Sequence, residues 1–480
     1  MGAGTSSRRG FLKWFLGGLV AGAAIGAGSL YVAAPELLRR QITGEPSPKP
    51  SPTQKAVPST PLKLGIQTFF RGGGAVLGEP IYRGAVLAAE EINAAGGILG
   101  RKIEWVARDE GSSDESVREY QRLVREDRID FYVGITSSGN TPAIAPVAEE
   151  LGVITLFADG CTDFLFEQVV KNPRFVFRVT NIQSADGITA AIGAIRFYDL
   201  MKKDKVRVAH IHPDYAYGRN AHDHMQIVLE KALGKDRVEV VYEAWPGLFR
   251  VTDFGTYISQ ILASGADILL TSLWGGDAVN FYKQALGYGL FNKVKVAATL
   301  FAGVKPEALG PDFPQSHVVG VHANYYFLYP DFERYVINKS FVENYYKRWN
   351  EYPNFEAEGA YVAVYLYKIA VEKAYKMRGG GWPEVDEIIT QLEGLSVYGP
   401  AGPIHMRARP PNKHQGYKDA VIGISRPEPK YGFTIVDKPL FIPISQITVP
   451  EGWDGPSEPT LAYNWIKQTW KEGVLPGMPA

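Results

Sequence analysis

The sequence predicts an α/β protein whose parallel sheets are covered by helices. Three observations point there. Strand-like and helix-like segments alternate strictly between residues 63 and 157, the same rhythm returns between 206 and 322, and glycine or proline marks most of the joints. Such alternation joins parallel strands through crossover helices, which bury a sheet on both faces. With 480 residues and 45% hydrophobics, there is material for more than one core. Lys+Arg and Asp+Glu both number 51, so the net charge is zero and nothing favours nucleic acid as a partner.

Each element has its own reason. The alternating run at 63–69 reads as a strand. A glycine-rich loop from Arg71 to Glu79 follows, and Pro80 marks the start of a helix over 81–93. Ile81, Ala85, Ala88 and Ile92 share one stripe of that helix, at spacings of four, three and four. Gly96, Gly97 and Gly100 end it before a second strand at 103–107. Ser112 and Glu115 have the spacing of a capping box for a helix carrying Val117, Tyr120 and Val124 inward. A third strand at 131–135 runs into Thr136-Ser-Ser-Gly-Asn-Thr-Pro142, where Pro142 begins a helix that leads to a strand at 153–157.

After a short strand at 175–179 and a helix at 184–199, strands are expected at 206–212, 238–243, 267–272, 294–298 and 318–322. Helices at 219–233, 254–263 and 277–286 lie between them, and two more follow at 341–349 and 358–376. From Gly394 onward the pattern contains only short strands broken by Gly399-Pro-Ala-Gly-Pro403, Arg409-Pro-Pro411 and Pro427-Glu-Pro429.

The first 62 residues are expected to lie outside the fold. Ser7-Arg8-Arg9-Gly10-Phe11-Leu12-Lys13 has the form of a twin-arginine export signal, and residues 14–34 are uncharged and rich in Gly and Ala. That run serves equally as a cleaved signal or a retained anchor. Residues 35–62 form a linker rich in Pro, Ser and Thr, which cannot build a core. The lone Cys161 excludes an internal disulfide.

The loop after the 131–135 strand is the sharpest site signal. A helix start at Pro142 leaves free backbone N–H groups and a positive dipole end, which favour an anion, and the Ser138 hydroxyl adds a donor. An ordinary N-cap explains the same local pattern.

The ordered set Gly78-Glu79-Pro80, Gly84-Ala85, Ala88-Ala-Glu90, Ile92-Asn-Ala-Ala-Gly-Gly-Ile-Leu-Gly-Arg101, Asp109 and Gly134…Ser138-Gly139 resembles the substrate-binding proteins of ABC importers. The subgroup is the branched-chain amino-acid and amide type, with the type I periplasmic-binding fold. The resemblance thins after these residues but continues to about residue 445 through Tyr217-Gly218, Gln284-Ala285, Gly402-Pro403-Ile404 and His414-Gln415. It implies two lobes joined by a three-strand hinge, with crossings near 178–183, 321–325 and 396–402. Lobe 1 would comprise 63–180 and 324–395, lobe 2 would comprise 181–323 and 396–450, and 451–480 would be a C-terminal extension.

The resemblance also implies a function and a site. The expected protein is a monomeric, extracytoplasmic solute-binding protein without cofactors. Its partners are a small polar ligand (an amino acid, amide, urea-like compound or carboxylate) and the permease subunits of an importer. A membrane-anchored sensor using the same clamshell stays open as an alternative, and behind it a metal-dependent enzyme using the chain's histidine cluster. Ser138 would hold a ligand carboxylate, with Asn140 in the same loop, and Thr162 would clamp the same end. Tyr217 and Trp274 would contribute aromatic walls from the second lobe. The family's ammonium-pairing acid has no counterpart in Thr299-Leu-Phe-Ala-Gly303. Either Asp159, Asp163 or Asp277 replaces it, or the ligand carries no ammonium, because an unpaired buried charge is costly.

The remaining chemistry is weaker. His210, His212, His222 and His224 lie within fifteen residues and invite a metal reading. Against it, residues two apart on a helix point to different sides, so no metal ligand is assigned. The chain also lacks a nucleophile elbow, a zinc-hydrolase helix motif and a P-loop, and no catalytic residue is expected. The glycine loop at 72–78 lacks dinucleotide spacing and reads as a ligand-lining turn.

Overall fold

The computed structural model describes residues 56–475 except 323, 324 and 330. The twin-arginine motif, the 14–34 segment, most of the linker and residues 476–480 lie outside the described residues. Among the described residues, no helix is long and apolar enough to cross a membrane.

The first lobe is built from β1 (Leu62–Thr68), α1 (Ala75–Ala94), β2 (Ile103–Asp109), α2 (Ser113–Arg125), β3 (Phe131–Gly134), α3 (Thr141–Leu151), β4 (Ile154–Phe157) and β5 (Val176–Arg178). Its five strands are all parallel, in the order β2-β1-β3-β4-β5. Successive side chains on a strand face opposite ways, which creates two cores. Phe131 and Val133 pack with Ile81, Ala85 and Ile92 of α1, whereas Tyr132 packs with Tyr120, Leu123 and Ile144 on the other face. The Ser112–Glu115 capping box is present, with Ser112 N donating to Glu115 Oε2 at 2.8 Å.

One start differs from the sequence reading. Helix α1 begins at Ala75, so Pro80 lies inside it rather than at its first turn. Buried Leu77, four residues before Ile81, extends the apolar stripe, and burying it outweighs the hydrogen bond lost at Pro80. Part of the expected ligand-lining turn is therefore helix.

The second lobe contains α4 (Gln183–Phe197), β6 (Val206–Ile211), α5 (Ala216–Leu233), β7 (Val238–Ala244), α6 (Gly255–Ser264), β8 (Ile268–Thr271), α7 (Gly275–Gly287), β9 (Lys295–Ala298), α8 (Phe301–Val304) and β10 (Val318–Gly320). The chain then adds α9 (Val336–Trp349), α10 (Phe355–Met377) and α11 (Val385–Leu392). Alanines and valines of α10 close the first-lobe core over α1. A small antiparallel sheet follows, made of β11 (Ser396–Gly399), β12 (Gly402–Met406) and β13 (Gly416–Tyr417). Finally β14 (Ala420–Glu428) and β15 (Phe433–Ile442) complete a seven-stranded sheet, β15-β14-β10-β9-β8-β6-β7, in which β14 runs antiparallel to both of its neighbours, β10 and β15.

The third crossing falls later than expected. Ile404 and Met406 of β12 are buried in the first-lobe core with Val362 and Leu366, so the chain leaves that lobe at 417–420 rather than 396–402. Asn181 ties this crossing to the first one. It accepts from Lys418 N at 2.8 Å and donates to Lys418 O at 3.1 Å. Helices also do not cease at Gly394, because α12 (Leu461–Thr469) docks against α5. Thr460 caps α12 by accepting from Tyr463 N at 3.1 Å, and it also meets His224 Nε2 at 2.7 Å.

Candidate ligand site between the lobes

In open α/β sheets, ligands bind beyond the carboxyl ends of the strands. A cavity lies at that edge, between the two lobes. Thr136 and Ser138 reach it from the loop after β3, and Asp159 and Cys161 from the loop after β4. The second lobe contributes Tyr215 and Tyr217 after β6, Trp274 after β8 and Leu300 after β9. Leu77, Phe355 and His322, which follows β10, complete the wall. The lobes approach closely here, leaving room for about one water molecule between these side chains. The two backbones meet at the rim, where a Cβ on Gly275 (φ +56°) would lie 2.8 Å from Gly73 O. Only glycine allows that approach.

Of the seven residues named from the sequence, Ser138, Asp159, Tyr217 and Trp274 line the cavity, and Thr162, Asn140 and Asp277 do not. Ser138 Oγ lies 3.9 Å from Cys161 Sγ. Tyr217 donates its hydroxyl proton to Thr299 Oγ1 at 2.9 Å, which fixes its ring. Trp274 is buried, packs edge-on against Phe249 at 4.8 Å, and its Nε1 makes no hydrogen bond among the described residues. The other three brace loops. Thr162 O accepts from Arg178 Nη1 at 2.7 Å, and Asp277 accepts from Phe249 N at 2.8 Å. Burial pushes Asp277 up to about 6, with the Phe249 N–H opposing. Asp163, also weighed as an acid for the ligand, instead accepts from Ser184 N at 3.0 Å.

The helix-start amides are not all free for a ligand. Thr136 N and Ser137 N donate to the Glu110 carboxylate at 2.8 and 2.7 Å, and Asn140 Nδ2 donates to it at 2.8 Å. A side chain of the protein itself therefore fills much of the anion position. Burial pushes Glu110 up to about 8, although those three donors pull the other way. The Ser138 hydroxyl remains directed at the cavity.

His322 is the residue that sequence reasoning missed. The sequence places it at the end of a strand and in a lobe crossing, with no site role. Its φ of +51° is unusual for a side chain of this size. His322 Nε2 lies 3.0 Å from Asp159 Oδ1, and Nδ1 faces the Asp186 carboxylate. Burial works against its positive charge, but Asp186, Cys161 and Asp159 hold its pKa well above the usual value. Glu356 sits beside this group. Burial and the neighbouring Asp159 push its pKa well above the carboxylate range. Burial also pushes the Cys161 thiol up to about 12, which makes it a poor nucleophile. No carboxylate stands at 299–303, so Asp159 is the acid that the cavity offers.

The histidine cluster of the sequence lies elsewhere. His210 Nδ1 and His212 Nε2 are 3.0 Å apart, while His222 is held by Asp223 and Glu243 at 2.9 Å each. His224 points to the other side, at Thr460. A larger surface hollow of about 450 Å³ is lined by Glu79, Arg83, Lys305 and Glu351, whose charges already pair with one another.

A cavity closed between two α/β lobes, with polar groups from one and aromatic walls from the other, defines a two-lobed small-molecule-binding protein. The sequence profile of the periplasmic binding protein family matches residues 61–423. The chain belongs to that family, whose members bind solutes rather than catalyse reactions. It is 27% identical over 349 residues to Leu/Ile/Val-binding protein homolog 7 of Brucella suis, covering 70% of this chain and 82% of that one. It superposes with a TM-score of 0.65 and 22% identity on the solute-binding protein of an ABC transporter from Rhodopseudomonas palustris, in complex with 3,4-dihydroxybenzoic acid. That match covers 80% of this chain and 98% of the other. A branched-chain amino acid transporter substrate-binding protein of Streptococcus pneumoniae, in complex with isoleucine, gives a TM-score of 0.63 at 20% identity, covering 80% and 99%. These likenesses carry the type I periplasmic-binding fold.

Proposed function

We propose that this chain is the extracytoplasmic substrate-binding protein of an ABC importer, delivering a small polar ligand to permease subunits in the membrane. The observation that carries the reading is the cavity at the strand ends between the lobes, with the Ser138 hydroxyl on one side and Tyr217 and Trp274 on the other. Ser138 binds the ligand's carboxylate or carbonyl, and the two aromatic rings exclude water and strengthen that hydrogen bond. Asp159 receives the ligand's donor end. Thr162, Asn140 and Asp277 act indirectly, by holding the loops that carry these groups. The relatives support two ligand classes, branched-chain amino acids and hydroxylated benzoates. The twin-arginine motif carries the export route, and replacing Arg8 and Arg9 by lysines should trap the precursor in the cytoplasm.

A thermal-shift screen of ligand-stripped protein against amino acids, their amides and hydroxybenzoates tests the function. A true ligand at one hundred times its dissociation constant adds about 2.7 kcal/mol of stability. A flat response to all three classes would overturn the reading.

A further inference from the structure

We propose that Asp159, Cys161 and His322 form a binding site for a divalent cation of the zinc class, in the wall of the interlobe cavity. One donor atom from each residue lies within 4.8 Å of the other two, and all three residues are buried. Zinc holds N, O and S ligands at about 2.0–2.3 Å, so donors around it sit about 3.3–3.8 Å apart. Small side-chain movements bring these three into that range. A thiolate, an imidazole and a carboxylate are also the mixed donor set that selects zinc over magnesium or calcium.

The partner of His322 supports a cation here. Its Nδ1 faces the Asp186 carboxylate, which leaves Nε2 directed at Asp159 and the cluster. A carboxylate on the far nitrogen is the arrangement that orients a metal-bound histidine and raises its basicity. A divalent ion bound here displaces the protons of the Cys161 thiol and of the His322 Nε2 to solvent.

Three protein donors leave the fourth tetrahedral position open, as in zinc sites that accept an exogenous group. The open position faces the cavity near Ser138 Oγ, which is 3.9 Å from Cys161 Sγ. A carboxylate or amine of the transported molecule completes the coordination there. This last step rests on the cavity being the ligand site, whereas the metal site itself does not.

The test uses full-length, tag-free protein, stripped with a chelator and titrated with zinc alone. Elemental analysis and calorimetry should find one ion per chain, and cobalt in its place should show a thiolate-to-metal charge-transfer band. Cys161→Ser and His322→Gln should each weaken zinc binding at least tenfold, and Cys161→Ser should abolish the band. Replacing His210 and His222 together by glutamine should leave both unchanged. If His322→Gln does not fold, Cys161→Ser and the cobalt spectrum still decide. Absence of a stoichiometric ion, retention of zinc by Cys161→Ser, or loss of zinc with His210 and His222 overturns the site. Zinc bound by a protein that responds to no organic ligand would sink the transport reading and leave the metal site standing.

Discussion

Lys418 and Glu358 form an ion pair in which neither side chain has any exposed surface. Glu358 lies on α10 in the first lobe, and Lys418 lies on the third crossing, one residue beyond β13. The pair therefore anchors the hinge to the lobe that carries Ser138 and Asp159. Removing one partner leaves the other charge buried. Lys418→Met should cost about 3–5 kcal/mol in urea unfolding. Adding Glu358→Leu should recover much of that loss, because a buried pair exchanged for apolar groups is close to neutral. A single variant as stable as the parent would mean that the charges are not isolated from water.

Helices α1 and α10 approach too closely for a side chain at Gly84. A Cβ there would lie 2.0 Å from Ala357 O, which is backbone and cannot swing aside. Gly84→Ala should lower stability by about 1–3 kcal/mol as the helices are forced apart. Because α10 also carries Glu356 and Phe355, ligand affinity should fall with it. Calorimetric melting of the variant checks the first effect and titration the second.

His317 gives the fold an acid limit. Val296 N donates to His317 Nδ1 at 3.2 Å, so the ring is neutral at that nitrogen. Burial, with Lys295 nearby, lowers its pKa from 6.5 to about 4. Below pH 6.5 the unfolded chain takes up a proton that the folded one refuses, so stability falls as pH drops toward 4 and levels off beneath it. The contribution at pH 5 should be about 2 kcal/mol relative to pH 7. His317→Gln should show a correspondingly flatter stability profile over that range.

The cavity assignment rests on Ser138 and Trp274, which line it from opposite lobes. Hydrogen bonds to a charged group contribute roughly 1.5–3 kcal/mol, so Ser138→Ala should weaken ligand binding about ten- to a hundredfold. Trp274→Ala should have a similar effect through lost apolar contact. Ser138→Ala should melt close to the parent when ligand-free, whereas Trp274→Ala, which empties a buried position against Phe249, should also lose about 3–5 kcal/mol of stability. Unchanged affinity in both would place the ligand elsewhere.

Much of this architecture follows from the sequence alone. The alternation of apolar strands with amphipathic helices, the Ser112 capping box and Pro142 are local signals, and local sterics and periodicity are what short segments encode. The resemblance, dense over 78–139 and thinner to about 445, added the two lobes and the candidates Ser138, Tyr217 and Trp274. What the local pattern could not contain was decided by packing. The early start of α1 depends on burying Leu77, and the late third crossing depends on Ile404 and Met406 finding the α10 surface. Helix α12 exists because it docks on α5. The cavity wall shows the same division most clearly. Asp159 and His322 are separated by 163 residues and meet at 3.0 Å, and Glu110 reaches the amides of Thr136 and Ser137 from another strand end. No periodicity links such positions. Closure of the two sheets against each other brings the first pair together, the strand order β2-β1-β3 brings the second, and burial then sets their charge.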